Sequence, residues 1–268
     1  MLQQGLAFKG FTVEATDGKI GHVSDFLFDE TTWQLRWLVV DTGSWLSDRK
    51  LLLHPSAIDK ADAEAHALLV NLTREQVEKS PGIGTDEPFS RHMEYRLNSY
   101  YGINPVQGGA YYGANGYALP LTGAQASGQA SDAPPADPHL RSLVEVTGYN
   151  IEASDGAIGH VKSFLIDDES WDIRYLVADT ANWWFGRQVL LSPASVLAID
   201  WGEHKLRLNL TCYKIKSSPA WDPTGLIDRA YEKLLHAYYE WPARYLPPVH
   251  AASGEAAAVR PVPVPATP

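Results

Sequence analysis

Few residues of this chain could do chemistry, and most of these occur twice. His22 and His160 each follow a glycine, and an imidazole can ligate a metal or titrate near neutral pH. Asp41 and Asp179 each end an apolar run, where a carboxylate could act as a general acid or base. One histidine per copy is too few for a metal site, and neither aspartate has a nucleophile or second acid at a useful spacing. We therefore expect no catalytic residue, no metal site and no cofactor.

Structural roles explain the same residues. Asp41 could cap the turn that follows it or pair with Arg36, and Asp179 has the same options with Arg174. The single cysteine, Cys212, has no partner for a disulfide or a metal cluster, which predicts a structural or surface thiol. No glycine-rich loop of a phosphate-binding type follows a strand and opens a helix.

Aromatic side chains in two equivalent loops are the stronger functional signal. Large side chains are costly to expose, so such loops either cover the end of their own unit or anchor a protein interface. Trp184 and Phe185 replace Leu46 and Ser47, which makes the second loop the stronger candidate. The candidate docking residues are Trp45, Trp183, Trp184 and Phe185.

The elements that position these residues belong to a duplicated unit. The stretch 11–58 returns as 149–196 at a constant shift of 138 positions, with about 22 of 48 positions identical. The same register continues through the tyrosine pairs at 100–101 and 238–239. A unit of about 95 residues can bury a core without a metal or disulfide. The two copies are expected to pack as a pseudo-twofold pair.

Each unit is predicted to be mainly β with a short helix at its end. Asp17-Gly18 and Asp155-Gly156 are turn pairs between alternating apolar and polar residues, which indicates a hairpin. Five or six short strands close most economically as a small barrel. Thr73 and Gln76 have the spacing of a capping box, and Asp228 is a candidate helix cap.

Composition sets the predicted domain boundaries. The first unit with its helix is assigned to 1–102 and the second to 147–246. The Gly-, Ala-, Pro- and Tyr-rich stretch 103–146 is assigned to a flexible linker, and the Pro-rich stretch 247–268 to a disordered tail. No apolar run reaches the roughly 20 residues of a membrane-spanning helix, and no secretory signal is recognised. A cytoplasmic location is the resulting expectation.

The repeated motifs resemble the PRC-barrel family. The resemblance rests on the Asp-Gly-x-x-Gly hairpins at 17–21 and 155–159, the Leu-Val-Val-Asp strand end at 38–41 and the proline after the next strand. It implies tandem small β-barrels like those of the photosynthetic reaction-centre H subunit and of the ribosome maturation factor RimM. In both relatives the barrel docks on another protein. The chain lacks the H subunit's membrane helix and the RimM N-terminal domain, so neither role transfers directly.

These observations favour a non-enzymatic scaffold or regulatory protein-binding module. The resemblance leaves two alternatives: an accessory protein of a membrane electron-transfer complex, and a ribosome-assembly factor. The formal net charge of -10 repels phosphate backbones, so a protein partner is expected rather than nucleic acid. The sequence leaves open which protein that is and whether the chain also forms a homodimer.

Overall fold

The computed structural model describes residues 2–46, 49–81, 91–101, 139–180, 187–219, 221–223 and 227–241. It confirms the mainly β class, with two equivalent seven-stranded sheets. The first part of the chain forms β1 (Leu2–Gln4), β2 (Thr12–Ala15), β3 (Gly18–Asp29), β4 (Leu35–Asp41), β5 (Lys50–Leu53), β6 (Ile58–Asp62), β7 (Ala67–Val70), α1 (Arg74–Glu78) and α2 (Arg91–Tyr101). The second part forms β8 (Leu140–Ser142), α3 (Leu143–Val146), β9 (Asn150–Ala153), β10 (Gly156–Asp167), β11 (Ile173–Asp179), β12 (Gln188–Leu191), β13 (Val196–Asp200), β14 (Lys205–Leu208), α4 (Cys212–Lys216) and α5 (Arg229–Tyr239).

Both sheets have the same strand order. The first runs β5-β4-β3-β2-β7-β6 and the second β12-β11-β10-β9-β14-β13, with one parallel pairing in each, β2 with β7 and β14 with β9. Among the described strands the ladder does not close into a barrel, since β5 and β6 stand at its two ends. A 3-10 turn over Pro55–Ala57 joins them instead, and Pro55 has no N–H with which to continue a ladder.

The two units exchange their first strands. β1 pairs with β10 of the second unit, Leu2 opposite Asp167, and β8 pairs with β3 of the first, Leu140 opposite Asp29. Leu140 and Asp167 follow Leu2 and Asp29 by the same 138 positions, so the two exchanges are equivalent. Each unit therefore completes the sheet of the other.

The strand exchange corrects the predicted linker. Residues 140–146, assigned to the linker by composition, form β8 and α3, whereas 102–138 and 242–268 lie outside the described residues. Ser142 caps α3 by accepting the N–H of Glu145. Composition could not reveal this segment because its apolar residues pack on the other unit, and it shares few identities with its counterpart, 2–8.

A second reciprocal contact marks the pseudo-twofold relation. Gln34 forms an antiparallel bridge with its own counterpart, Asp172. On either side of it, the N–H of Leu35 donates to the carbonyl of Trp171 (3.0 Å), and the N–H of Ile173 donates to that of Trp33 (2.8 Å). Both tryptophans have positive φ angles, 59° and 60°, which turn the chain sharply into β4 and β11.

One hydrophobic core spans the two units. The ring of Phe28 lies 6.0 Å from that of Phe164, and the ring of Trp171 lies 6.1 Å from that of Phe8 and 6.3 Å from that of Phe26. All five side chains are less than a tenth exposed. Burial of large apolar side chains is the main favourable term in folding, so the two units stabilise each other.

Two glycines of the repeated hairpin motif are required by a close approach of strands. A Cβ atom at Gly21 would lie 2.1 Å from the carbonyl oxygen of Asp41, and one at Gly159 would lie 1.9 Å from that of Asp179. These carbonyls are backbone atoms and cannot swing aside. Any side chain at these positions would force β3 from β4, or β10 from β11.

The helix predictions are confirmed where the structure describes them. Thr73 and Gln76 form a capping box at α1, whereas Thr211 caps α4 with its hydroxyl alone. Asp228 caps α5 by accepting the N–H of Tyr231 at 2.7 Å. No helix among the described residues is long and apolar enough to cross a membrane.

A substitution at the contact between the units can test whether packing across that contact stabilises the protein. Gly5 is buried, and a Cβ atom there would lie 2.5 Å from Ile166 Cδ1 and 3.3 Å from Cδ2 of Leu143, its own counterpart. We expect Gly5→Leu to lower the free energy of unfolding by about 1–3 kcal/mol, because overpacking forces neighbouring side chains to shift. Equilibrium denaturation in urea measures the change.

Two further variants check the cause. Ala7→Leu introduces the same side chain at an exposed neighbour and should change stability by less than about 0.5 kcal/mol. Leu143→Ala should cost less in the Gly5→Leu chain than in the native chain, since it relieves the crowding there. Equal costs in both chains would contradict packing between these two residues.

Candidate docking surface

The repeated histidines and aspartates lie opposite one another across their ladders, and in the first unit each makes a local contact with the backbone. His22 faces Asp41 across the β3–β4 ladder, as His160 faces Asp179 across β10–β11. The His22 ring lies 2.9 Å from Lys19 Nζ through Nε2 and 3.3 Å from the Gly10 carbonyl through Nδ1. Asp41 accepts the N–H of Gly43 at 2.9 Å, which confirms its role in capping the following turn. No group of three potential metal ligands occurs among the described residues.

The repeated arginine near the start of β4 or β11 pairs with the helix at the end of its own unit. Arg36 forms an ion pair with Glu94 of α2, and Arg174 lies 3.8 Å from Glu232 of α5. Both glutamates are nearly buried. The sequence allows Arg36 to pair with Asp41, but the structure pairs it with Glu94 and, at 3.9 Å, with Asp29. These pairs fix each helix against the outer face of its own sheet.

The second unit extends this pair into a buried polar network. The Tyr175 hydroxyl donates to Glu232 (3.0 Å) and lies 3.1 Å from Nε2 of His236. Burial, reinforced by the nearby Glu232 carboxylate, raises the pKa of Tyr175. Burial, with Arg174 nearby, lowers the pKa of His236. The tyrosine therefore stays protonated and the histidine neutral, which suits a structural network rather than proton transfer.

Other repeated residues hold the short helices. Arg49 Nη2 donates to the carbonyl of Ser80 (2.6 Å) and Arg187 Nη2 to that of Ser218 (2.5 Å), both just beyond α1 or α4. Asp17 accepts the first helical N–H of α1, and Asp155 that of α4, which belongs to Cys212. These two repeated pairs therefore have the same structural role in both copies.

Cys212 is a structural thiol, as predicted. Its side chain is buried, with Sγ 3.5 Å from the carbonyl oxygen of Gly156. Burial and the neighbouring Asp155 raise the pKa of the Cys212 thiol to about 11. A thiol that stays protonated at neutral pH is a poor nucleophile.

Of the four candidate docking residues, the structure describes Trp45. Its indole is half-buried against the core of the first unit, and the Arg74 guanidinium carbon lies 4.6 Å from the ring centroid. Trp45 therefore covers its own unit. The other three candidates, Trp183, Trp184 and Phe185, lie outside the described residues. Arg74 is replaced by Cys212 in the second unit, so the cation beneath Trp45 has no counterpart there.

Three apolar residues of the second unit are exposed, and no motif of the sequence singles them out. Leu197 is 67% exposed, Tyr213 77% and Leu234 56%. Their counterparts in the first unit are all charged: Asp59, Glu75 and Arg96. The sequence does contain a signal for them: at these positions the charged residues of the first copy are replaced by apolar residues in the second. Their exposure could be known only from the fold.

One of these residues lies at the rim of a cavity. The cavity, about 310 Å³ in volume, lies between α4 and the ends of β11 and β12. Its buried lining comprises Ile158, Val189 and Ile215, and its exposed rim includes Tyr213 and Lys216. Its size is at the lower end of the roughly 300–1,000 Å³ typical of ligand pockets. An apolar interior with a polar rim can receive a side chain of a partner.

Comparison with known proteins identifies part of the fold. Residues 7–77 match the family model of the PRC-barrel domain, which confirms the resemblance over that stretch. The match spans β2 to β7 and most of α1. No curated protein matches the chain.

His54, which has no histidine counterpart in the second unit, has a structural role. Its Nδ1 accepts the N–H of Ser56 (3.2 Å) and caps the 3-10 turn, as the Ser192 hydroxyl does for Ala194. The ring packs edge-on against Trp37. Burial, with Arg36 nearby, lowers the pKa of His54 from its usual 6.5 to about 4.

We expect His54 to make stability depend on pH. Between about pH 6.5 and pH 4 the unfolded chain binds the proton that the folded chain excludes, so stability falls as pH falls through this window. The loss should be about 1–3 kcal/mol, since one pKa unit corresponds to about 1.4 kcal/mol. Urea denaturation at pH 7.5, 6, 5 and 4 measures it.

His54→Ser is the matched variant, because serine makes the same cap in the second unit. It should lose less stability than the native protein over this pH range. Parallel pH profiles for the two proteins would assign the acid sensitivity to other groups.

Proposed function

We infer that this chain, which carries a PRC-barrel domain, is a non-enzymatic scaffold or regulatory protein that docks a partner through its second unit. The supporting observation is the divergence of two structurally equivalent surfaces. Leu197, Tyr213 and Leu234 are exposed where the first unit has charged residues. Large apolar side chains are costly to expose and are common at protein interfaces, so their appearance in one of two equivalent units favours docking by that unit.

The described residues also give a reason to propose binding rather than catalysis. Several groups that could act as an acid, a base or a nucleophile have structural roles instead. Asp41 caps a turn, the buried thiol of Cys212 stays protonated, and Tyr175 donates to Glu232. A catalytic site would need such groups to converge on a cavity.

We place the protein in the cytoplasm, where its partner would be encountered. The formal charge of -10 favours a partner with a basic surface during encounter, because electrostatic steering acts over the whole molecule. Direct binding to nucleic acid is not part of the proposal.

Affinity capture tests the proposal. Tagged full-length protein and a Trp183→Ala/Trp184→Ala variant are incubated with lysate of the native cell, and retained proteins are identified by mass spectrometry. We expect a defined partner with the native protein and at least about a tenfold loss with the variant, because tryptophans are frequent binding hot spots. An Asp59→Ala/Glu64→Ala variant, altered at exposed residues of the first unit, should retain the partner.

The captured partner also separates the alternatives. A component of a membrane electron-transfer complex would support the accessory role, and a small-subunit ribosomal protein with its assembly precursors would support the ribosomal role. Failure of the native protein to retain any partner, or retention of the same set by the tryptophan variant, would contradict docking through the loop.

A further inference from the structure

We propose that the cavity beside α4 binds an apolar side chain from an acidic segment of a partner protein. This inference rests on the proposed docking function and specifies its chemistry. The apolar side chain would enter among Ile158, Val189 and Ile215, and neighbouring carboxylates of the same segment would lie against Lys216 and Arg187.

The apolar part of the cavity is built by secondary structure. Ile158 comes from β10, Val189 from β12 and Ile215 from α4, and each is 1–2% exposed. The side chains of fixed elements present a preformed site, so little conformational entropy is lost on binding. Tyr213 stands at the rim, 77% exposed, where its ring can close over an inserted side chain.

The charge of the lining selects an acidic occupant. Among the described lining residues, Arg187 and Lys216 are cationic and none is anionic, a formal charge of +2. The same positions of the first unit hold the cations Arg49 and Lys79 and the anions Glu75 and Glu78, which sum to zero. The cavity lining of the second unit is therefore more cationic by two formal charges than its counterpart, with the Asp155 carboxylate near Lys216, in a protein whose net charge is -10.

The guanidinium of Arg187 is fixed in place. Its Nη1 donates to the carbonyl of Lys216 at 3.1 Å and its Nη2 to that of Ser218 at 2.5 Å. These acceptors are neutral, so the positive charge is not cancelled. A carboxylate at the rim would meet a cation whose geometry is already set.

The counterpart site of the first unit has different chemistry. Glu75 forms an ion pair with Lys79 at 2.6 Å, one turn along α1, where the second unit has Tyr213 and Ser217. The first unit therefore presents a neutralised polar edge at the place where the second presents an aromatic ring. It serves as an internal reference for a site that does not bind the occupant.

Peptide selection on the full-length protein tests this proposal. A displayed library of random peptides, each about twelve residues long, is panned against the native chain, and enriched sequences are synthesised for titration by fluorescence polarisation. We expect enriched peptides to carry an aromatic or aliphatic residue flanked by Asp or Glu. Affinity should fall as NaCl rises from about 50 mM to about 500 mM, because salt screens the rim charges.

The matched variant gives two positions of α4 the residues that α1 has there. Tyr213→Glu/Lys216→Glu introduces the residues that the first unit has at these exposed positions, so the fold should tolerate it, and thermal denaturation checks this. The variant should bind the selected peptides at least about tenfold more weakly, as should replacement of the peptide's apolar residue by alanine in binding to the native chain. Glu203→Ala, which also restores a first-unit residue at an exposed position but lies outside the cavity lining, should bind normally.

Several outcomes would overturn the proposal. These are the absence of enriched peptides, enrichment of neutral or basic sequences, and equal affinity for the native and Tyr213→Glu/Lys216→Glu proteins. Enrichment of sequences like the chain's own 103–138 stretch would instead assign the cavity to an intramolecular segment.

The experiments distinguish failure of the cavity proposal from failure of the proposed docking function. If the double variant in α4 captures the native partner as well as the unaltered chain does, docking stands and the cavity is not its site. If the native chain captures no partner but binds acidic peptides through the cavity, the peptide site stands without the scaffold role.

Discussion

The reciprocal exchange of first strands is the interaction on which the rest of the structure depends. β1 adds to β10 and β8 adds to β3, so neither sheet is complete without the other unit. The bridge between Gln34 and its counterpart Asp172, with the crossed backbone bonds of Trp33 and Trp171, fixes the pseudo-twofold relation. The two units thereby share one hydrophobic core, and aromatic residues pack across the contact between them.

The duplication of the unit explains why the repeated residues have structural roles. Gly21 and Gly159 let strands approach, Arg49 and Arg187 hold the carbonyls beyond α1 and α4, and Asp17 and Asp155 accept the first N–H of those helices. Such roles occur once per unit and must be filled twice. Selection for binding is therefore expected where the copies differ, since a surface residue can change in one unit without loss of the scaffold.

The two surfaces have diverged in a consistent direction. Tyr213 and Lys216 replace Glu75 and Glu78 around one cavity, which becomes both more apolar and more cationic. The first unit keeps Trp45 against its own core, with Arg74 over the ring. The aromatic loop residue of the first unit thus covers its own core, whereas the second unit is the one that we propose to dock a partner.

The sequence by itself determined the duplication, the mainly β class, the hairpin turns, the helix caps at Thr73 and Asp228, and the PRC-barrel resemblance. These are local or periodic features, set by backbone preferences and hydrogen bonds between residues near in sequence. Only the tertiary structure decided that 140–146 belongs to the fold, that Arg36 pairs with Glu94, and that Tyr213 stands at the rim of a cavity. Each of these depends on contacts between distant segments, and the free energy of such contacts is defined only when the whole core has formed.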